Sequence, residues 1–312
     1  MHSRFYVRPN FWAALSFITI SFSACNATDS QRAAKVEDTP LITDSVPAKS
    51  EPEKPAIDVE DTLSLVKDSV KIVAKHADTT TKDTAVLYTD SISPRYVYLT
   101  FDDGPLIGSQ AIDSITTAKQ VKTNVFLIGM HAEMSKRMYK YYQKYMTNPL
   151  IDSYNHSFTH AHNKFSVFYS QPQKAFADFD KNETALQLQH KIVRLPGRNI
   201  WYFDARRRVD LESGASTADL LHMNGYKIMG WDVEWKMNGT TGKPLETVSQ
   251  IYRRMRNRLN NGTTFSKNNV VLLMHDDMFQ NRKGQKLLSD LIDSLKLHPN
   301  YKFEHLRAYP KN

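Results

Sequence analysis

Five short stretches of this sequence carry residues whose types and spacing could do hydrolytic chemistry. The strongest is Thr100-Phe101-Asp102-Asp103-Gly104-Pro105. Two adjacent carboxylates at a strand end diverge, so one can bind a metal ion while the other works as a base. The following Gly-Pro forces a turn that leaves both acids exposed in a cleft. By chance the whole string would arise in on the order of one in 10⁵ chains of this length. The second stretch is Asn155-His156-Ser157-Phe158-Thr159-His160. Histidines four apart can point both imidazoles at one ion, and a carboxylate from another strand completes a three-ligand site with open positions. His-x₃-His alone is a weak signal; with the paired aspartates upstream it predicts a divalent-metal site. His162 fits no ligand role and reads as a surface histidine. Arg194-Leu195-Pro196-Gly197, Gly230-Trp231-Asp232-Val233-Glu234-Trp235 and Val271-Leu272-Leu273-Met274-His275 say less alone. A lone histidine closing an apolar run, for instance, is more often a satisfied structural residue.

Short apolar, β-prone runs must hold these residues. They lie at Tyr96–Phe101, Thr123–Ile128, Pro149–Tyr154, Lys191–Leu195, Tyr226–Val233 and Asn269–Met274. Between them, helical spacing predicts helices near 109–119, 133–145, 171–189, 216–224, 246–260 and 284–296. Strands alternating with helices imply an α/β fold with a parallel sheet or barrel rather than a sandwich. Asp102 and Asp103, His156 and His160, Pro196 and Gly197, Glu234, and His275 then all follow strands. In parallel α/β architectures those ends share one face, where active sites are built.

With the stretches in this order, residues 95–276 resemble the polysaccharide deacetylases, the NodB-homology group also called carbohydrate esterase family four. TFDDGP is similar to that family's first motif, Asn124-Val125-Phe126-Leu127-Ile128-Gly129 to its second-strand signature, and the histidine pair to its second motif. The fold the resemblance implies is a distorted, incomplete (β/α) barrel. Its implied metal ligands are Asp103, His156 and His160, holding Zn²⁺ with Co²⁺ or Ni²⁺ as substitutes. Asp102 is the implied general base, Arg194 the residue that orients it, and His275 the general acid. Gly197 offers a backbone N–H to the substrate where the family often has an aromatic residue, and Leu273 lines the pocket for the acetyl methyl. The fourth motif departs from the family pattern. The acid that supports His275 is left between Glu234, which is favoured, and Asp232, with Met237-Asn238 where an Asp-Trp pair is expected. The implied activity is removal of N-acetyl groups from a glycan, with peptidoglycan N-acetylglucosamine the first expected substrate. The alternatives are an O-deacetylase of a xylan-like polymer and a weakly active glycan-binding relative.

The rest of the chain bears on location. Arg4 and Arg8 precede the apolar run 11–22, too short for a membrane span of about 20 residues, and Ser23-Ala24-Cys25 follows. Residues 1–25 thus resemble a lipoprotein signal with Cys25 lipidated, which implies export, a cell-envelope location and a membrane anchor through that lipid. Cys25 is the one cysteine, which excludes a disulfide framework and a Cys-based zinc site. Residues 26–93 contain no glycine and a single aromatic, Tyr88, a composition that reads as a low-complexity tether. Residues 94–312 read as the catalytic domain and carry a net charge of +11, against −5 for residues 26–93 and +8 for the whole chain. In an exported protein that charge suits an anionic envelope polymer better than nucleic acid, which is not an expected partner.

Overall fold

The computed structural model describes residues 93–311. The expected leader 1–25 with Cys25, and all but the last residue of the segment 26–93, lie outside the described residues. Among the described residues no helix is long and apolar enough to cross a membrane.

The chain alternates strands and helices. The strands are β1 (Arg95–Gly104), β2 (Thr123–Leu127), β3 (Ile151–Asn155), β4 (Ile192–Val193), β5 (Ile200–Phe203), β6 (Arg206–Val209), β7 (Lys227–Ile228), β8 (Val233–Glu234), β9 (Asn269–His275) and β10 (Tyr301–Phe303). The helices are α1 (Ser109–Lys119), α2 (Gly129–Glu133), α3 (Lys136–Thr147), α4 (Phe165–Tyr169), α5 (Pro172–Ala185), α6 (Ala215–Met223), α7 (Val248–Asn260) and α8 (Arg282–Lys296). The strand order is β6-β5-β7-β4-β3-β2-β1-β9-β8, with β10 also on β1. All ladders are parallel except those that β5 makes with β6 and β7.

This sheet has to curl. β7 and β8 stand six strand steps apart in the order, about 29 Å across a flat sheet at the usual strand spacing. Only five peptide steps separate Ile228 from Val233, a reach of about 18 Å at full extension. Met229 N–H still bonds Val193 O on the β4 side, and Asp232 N–H already bonds Val271 O on the β9 side. One short run therefore serves both flanks of the sheet, which closes it into the incomplete barrel expected. The single strand predicted over Tyr226–Val233 is accordingly two short ones with a crossing between them.

Strand periodicity then decides what faces the interior. In β1, Val97, Leu99 and Phe101 pack outward with Ile112 of α1 and Leu288, Leu291 and Ile292 of α8. Tyr96 and Tyr98 point inward, where they join Phe126, Tyr154, Trp201, Phe203 and Val271. Asp102 shares the parity of Tyr96 and Tyr98, His156 that of Tyr154, and His275 that of Val271. The apolar alternation that builds the core thus carries the reactive residues to the barrel's inner mouth.

Local signals set the helix limits. Thr247 and Gln250 form a reciprocal cap that starts α7, and Asn281 caps α8. The helix predicted at 133–145 is instead α2 and α3, divided at Ser135, whose hydroxyl accepts from Met138 N–H to begin a new helix. The hairpin β5–β6 and strand β10 are additions to the expected set. Exposed Arg206, Arg207 and Arg208 charge the open edge of the sheet at β6, a device that discourages edge-to-edge pairing.

Behind the mouth lies a buried acid. Asp276 accepts from Ser109 Oγ and from Tyr145 Oη at 3.3 Å, and its Oδ1 has no partner. Burial, the largest influence, pushes its pKa up to about 7. An unfolded aspartate titrates near 3.9, so between about pH 4 and pH 7 the folded chain holds a proton that the unfolded chain has released. This contribution to stability is complete below about pH 4 and is lost as pH rises through about 7. Urea denaturation of Asp276→Asn should show a flatter pH dependence across that window than the parent; an unchanged profile would remove Asp276 as its source.

Candidate active site

β1 ends in two acids with different surroundings. Asp102 is buried, and its Oδ1 accepts from Arg194 Nη1 at 2.7 Å. Asp103 sits where the β1–β2 register slips between Phe101 and Gly104, and its backbone takes a left-handed φ of 71°. Such slips re-aim side chains, and here Asp103 turns towards the histidines. Its Oδ1 lies 3.4 Å from His156 Nε2 and 3.2 Å from His160 Nε2.

The loop after β3 presents those histidines, and other residues shape it. Asp178 Oδ2 accepts from the N–H groups of Phe158 and Thr159, and Asn155 Oδ1 accepts from Ser157 N–H and Asn182 Nδ2. His160, Ala161, His162 and Asn163 all have positive φ. A run of four left-handed non-glycine residues is costly and persists only when surrounding contacts fix it. Exposed His162 points to no ligand role, as expected.

The second ring nitrogens settle what the first ones offer. His156 Nδ1 faces Arg194 O at 2.9 Å and His160 Nδ1 faces Asn163 Oδ1 at 3.1 Å. Each Nδ1 must donate to its oxygen, so in the neutral rings each Nε2 presents a lone pair. Asp103 Oδ1 is itself buried and without a hydrogen-bond partner. Three electron-pair donors therefore converge, all within 4.8 Å of one another, on a point that calls for positive charge. The electrostatics agree. Burial opposes ionisation of Asp103, yet His156 and the neighbouring histidines hold its carboxyl well below the usual range. For His156 burial is likewise outweighed, by Asp102 and Asp103, and its pKa rises; burial carries that of His160 downwards. One carboxylate and two imidazoles with outward partners for their Nδ1–H groups fit a zinc-type divalent cation.

Arg194, just past β4, is fully buried. Its guanidinium donates to Asp102, to Thr100 Oγ1 at 2.9 Å, and to Met229 O and Gly230 O at 3.1 and 2.9 Å, with its face over Phe126. It therefore braces β1 against the β7–β8 crossing. Across β1, Asp102 is in register with His275 of β9, and Thr100 with Leu273, which is buried. Asp102 thus has Arg194 on one side and His275 on the other.

The structure separates the two acids proposed to support His275. Asp232 accepts from Phe265 N–H at 2.7 Å and Val271 N–H at 2.9 Å, and burial pushes its pKa up to about 6. Glu234 is half-buried and in register with Leu273. Neither reaches His275, whose buried Nδ1 has no hydrogen bond to a carboxylate. Asp232 is spent on backbone N–H groups of the sheet and the loop beside it, while Glu234 shares the inner face of Leu273 without a hydrogen bond to His275 Nδ1.

Gly197 is exposed, with φ of 65°. A Cβ there would meet the Phe165 ring at 3.2–3.3 Å. The space an aromatic residue could occupy at position 197 is bordered instead by Phe165, whose ring also stands edge-on to His160 at 5.5 Å. Trp201 belongs to the core, stacked on Phe265, and Arg198 is tied to Ser213. Three residues of the mouth carry no motif signal: Phe165, His131 and Asp277. The carboxyl of Asp277 is raised by burial and by Asp103. His131 and Phe165 lie in the short helices α2 and α4 and Asp277 in a 3-10 turn after β9, where only the folded chain shows them next to the acids and histidines.

Comparison with known proteins follows the same outline. Residues 90–199 match the polysaccharide deacetylase family model. A CE4 esterase from Streptococcus mutans is 19% identical with a TM-score of 0.51, over 67% of this chain and 85% of that one; this likeness bears on the fold. The catalytic domain of a peptidoglycan N-acetylglucosamine deacetylase from Eubacterium rectale is 19% identical, over 73% of this chain and 91% of its own, with a TM-score of 0.48. A family 4 carbohydrate esterase from Streptomyces lividans is 17% identical, over 68% and 93%, with a TM-score of 0.47. No curated protein matches the sequence.

Proposed function

We propose that this chain, whose residues 90–199 match the polysaccharide deacetylase family model, a family of hydrolases, removes N-acetyl groups from a cell-envelope or extracellular glycan, with peptidoglycan N-acetylglucosamine the first candidate. One observation carries this reading. The cluster Asp103, His156 and His160 lies at the barrel mouth beside an Arg194-paired Asp102, with His275 in register on the next strand. Leader-like residues 1–25 favour a substrate outside the cytoplasm.

A divalent cation, zinc in the first instance, would be held by Asp103, His156 and His160, and supplies polarisation of the acetyl carbonyl and acidification of water. Asp102 accepts the proton of the attacking water on Oδ2, the oxygen that Arg194 leaves free. Arg194 pairs with the carboxylate and fixes its orientation. The Gly197 N–H meets the oxygen that gains charge, a kind of contact worth about 3 kcal/mol when lost. His275 protonates the leaving amine nitrogen as the carbon–nitrogen bond breaks, and acetate and a free amino sugar result. Leu273 backs the acetyl methyl.

Acetate release tests this. The zinc-loaded full chain is offered N-acetylglucosamine oligomers, peptidoglycan and acetylated xylan. Release from an N-acetylated glycan is the expected result. Release from xylan alone would make it an O-deacetylase, and no release from any of the three with zinc demonstrably bound would overturn the enzymatic reading.

A further inference from the structure

His131 belongs to none of the sequence motifs, yet its Nδ1 lies 2.6 Å from the carbonyl oxygen of Asp103. A carbonyl only accepts, so the ring donates Nδ1–H. Asp103 is the residue that most needs such a partner. The register slip between Phe101 and Gly104 takes it out of the β1–β2 pairing, and its φ of 71° is one a non-glycine residue adopts only when held. Rotation about this backbone would swing Oδ1 away from both histidines.

The helix that carries His131 is itself wedged in place. α2 begins at Gly129, where a Cβ would stand 2.3 Å from the Phe158 ring and 2.6 Å from Asn182 Oδ1. The next residue, Met130, donates its N–H to Phe158 O at 3.0 Å. Phe158 lies between His156 and His160, so two consecutive residues of α2 reach the two halves of the ligand set. Met130 ties to the histidine loop and His131 to the aspartate. The distance between carboxylate and imidazoles is thereby set by a rigid turn rather than left to two loops.

We propose that His131 is a positioning residue that locks the Asp103 backbone and so sets how tightly the Asp103–His156–His160 cluster holds a divalent cation. This rests on the metal-site reading given above. The test is direct cation binding by the full chain, with Co²⁺ followed by its visible absorption and Zn²⁺ by competition with a chelating dye. His131→Phe keeps the ring volume but has no N–H, and His131→Asn places an amide N–H near the position of Nδ1. The phenylalanine variant should bind about 10–100-fold more weakly with an altered Co²⁺ spectrum, the range typical for groups that orient metal ligands. The asparagine variant should recover most of the affinity. Circular dichroism of both cation-free variants confirms folding. Binding by His131→Phe within twofold of the parent, while His156→Ala loses it, would overturn the role of His131 alone. Parent protein that binds neither ion would overturn the metal-site reading as well.

Discussion

Replacing Asp102 by asparagine should lower the rate of acetate release by about 10²–10⁴-fold, the usual contribution of a positioned acid–base group, while leaving the fold and the cation in place. The amide is isosteric and its oxygen still accepts from Arg194 Nη1, so the buried guanidinium keeps its partner. The cation cluster lies on the neighbouring residue and the β3 loop, and none of its three atoms belongs to Asp102. What the substitution removes is the basic oxygen. Asparagine cannot take the water's proton, and no other carboxylate shares the position between Arg194 and His275. Initial rates on the best substrate, with bound zinc measured in the same samples, decide the matter. A variant that keeps its zinc and works within tenfold of the parent would make Asp102 a structural partner of Arg194 and move the base elsewhere, with Asp277, which feels the charge of Asp103, the carboxyl to test next.

The separate fates of Asp102 and Asp103 show which features were legible in the sequence. The motif resemblance named Asp103, His156 and His160 as one set, and the structure brings them together, but strand parity alone would turn Asp103 outward with Val97, Leu99 and Phe101; the register slip between Phe101 and Gly104 is what re-aims it. The helix predicted at 109–119 is α1, Ser109–Lys119. The limits arose where one segment serves two partners. Tyr226–Val233 reads as a single apolar strand, but closure of the sheet requires it to leave β4 and join β9 within a few residues. The fourth motif lies on that crossing, and it is also where the sequence departs from the family pattern. The β5–β6 hairpin was missed because Arg206-Arg207-Arg208 hides the alternation expected of a strand. Inner-face residues Trp201 and Phe203 come from β5, so part of the barrel interior was invisible for the same reason. His131 could not be found from spacing at all, since its role depends on a backbone carbonyl that only the register slip exposes.

Arg194 is the residue on which fold and site depend together, and Arg194→Leu should destabilise the protein by about 3–5 kcal/mol. For a domain of this size that is roughly 6–20 °C in melting temperature. The side chain has no exposure to solvent, and its donors satisfy a carboxylate, a hydroxyl and two carbonyls of the β7–β8 crossing. A leucine fills part of the volume but leaves the buried Asp102 carboxyl without its guanidinium partner, and strands both carbonyls on the segment that closes the barrel. Arg194→Lys should restore only part of the loss, because an ammonium cannot span a fork that reaches Asp102 on one side and Met229 and Gly230 on the other. The cost belongs to the uncompensated acid more than to the absent guanidinium, which gives a sharper expectation. The double variant Asp102→Leu/Arg194→Leu should be more stable than Arg194→Leu alone, since it removes the buried carboxyl that the single variant abandons. Thermal unfolding of the four proteins reads this out. A single variant within about 1 kcal/mol of the parent would mean that water reaches the barrel interior and screens Asp102, and the brace across β1 and the crossing would lose its part in holding the barrel closed.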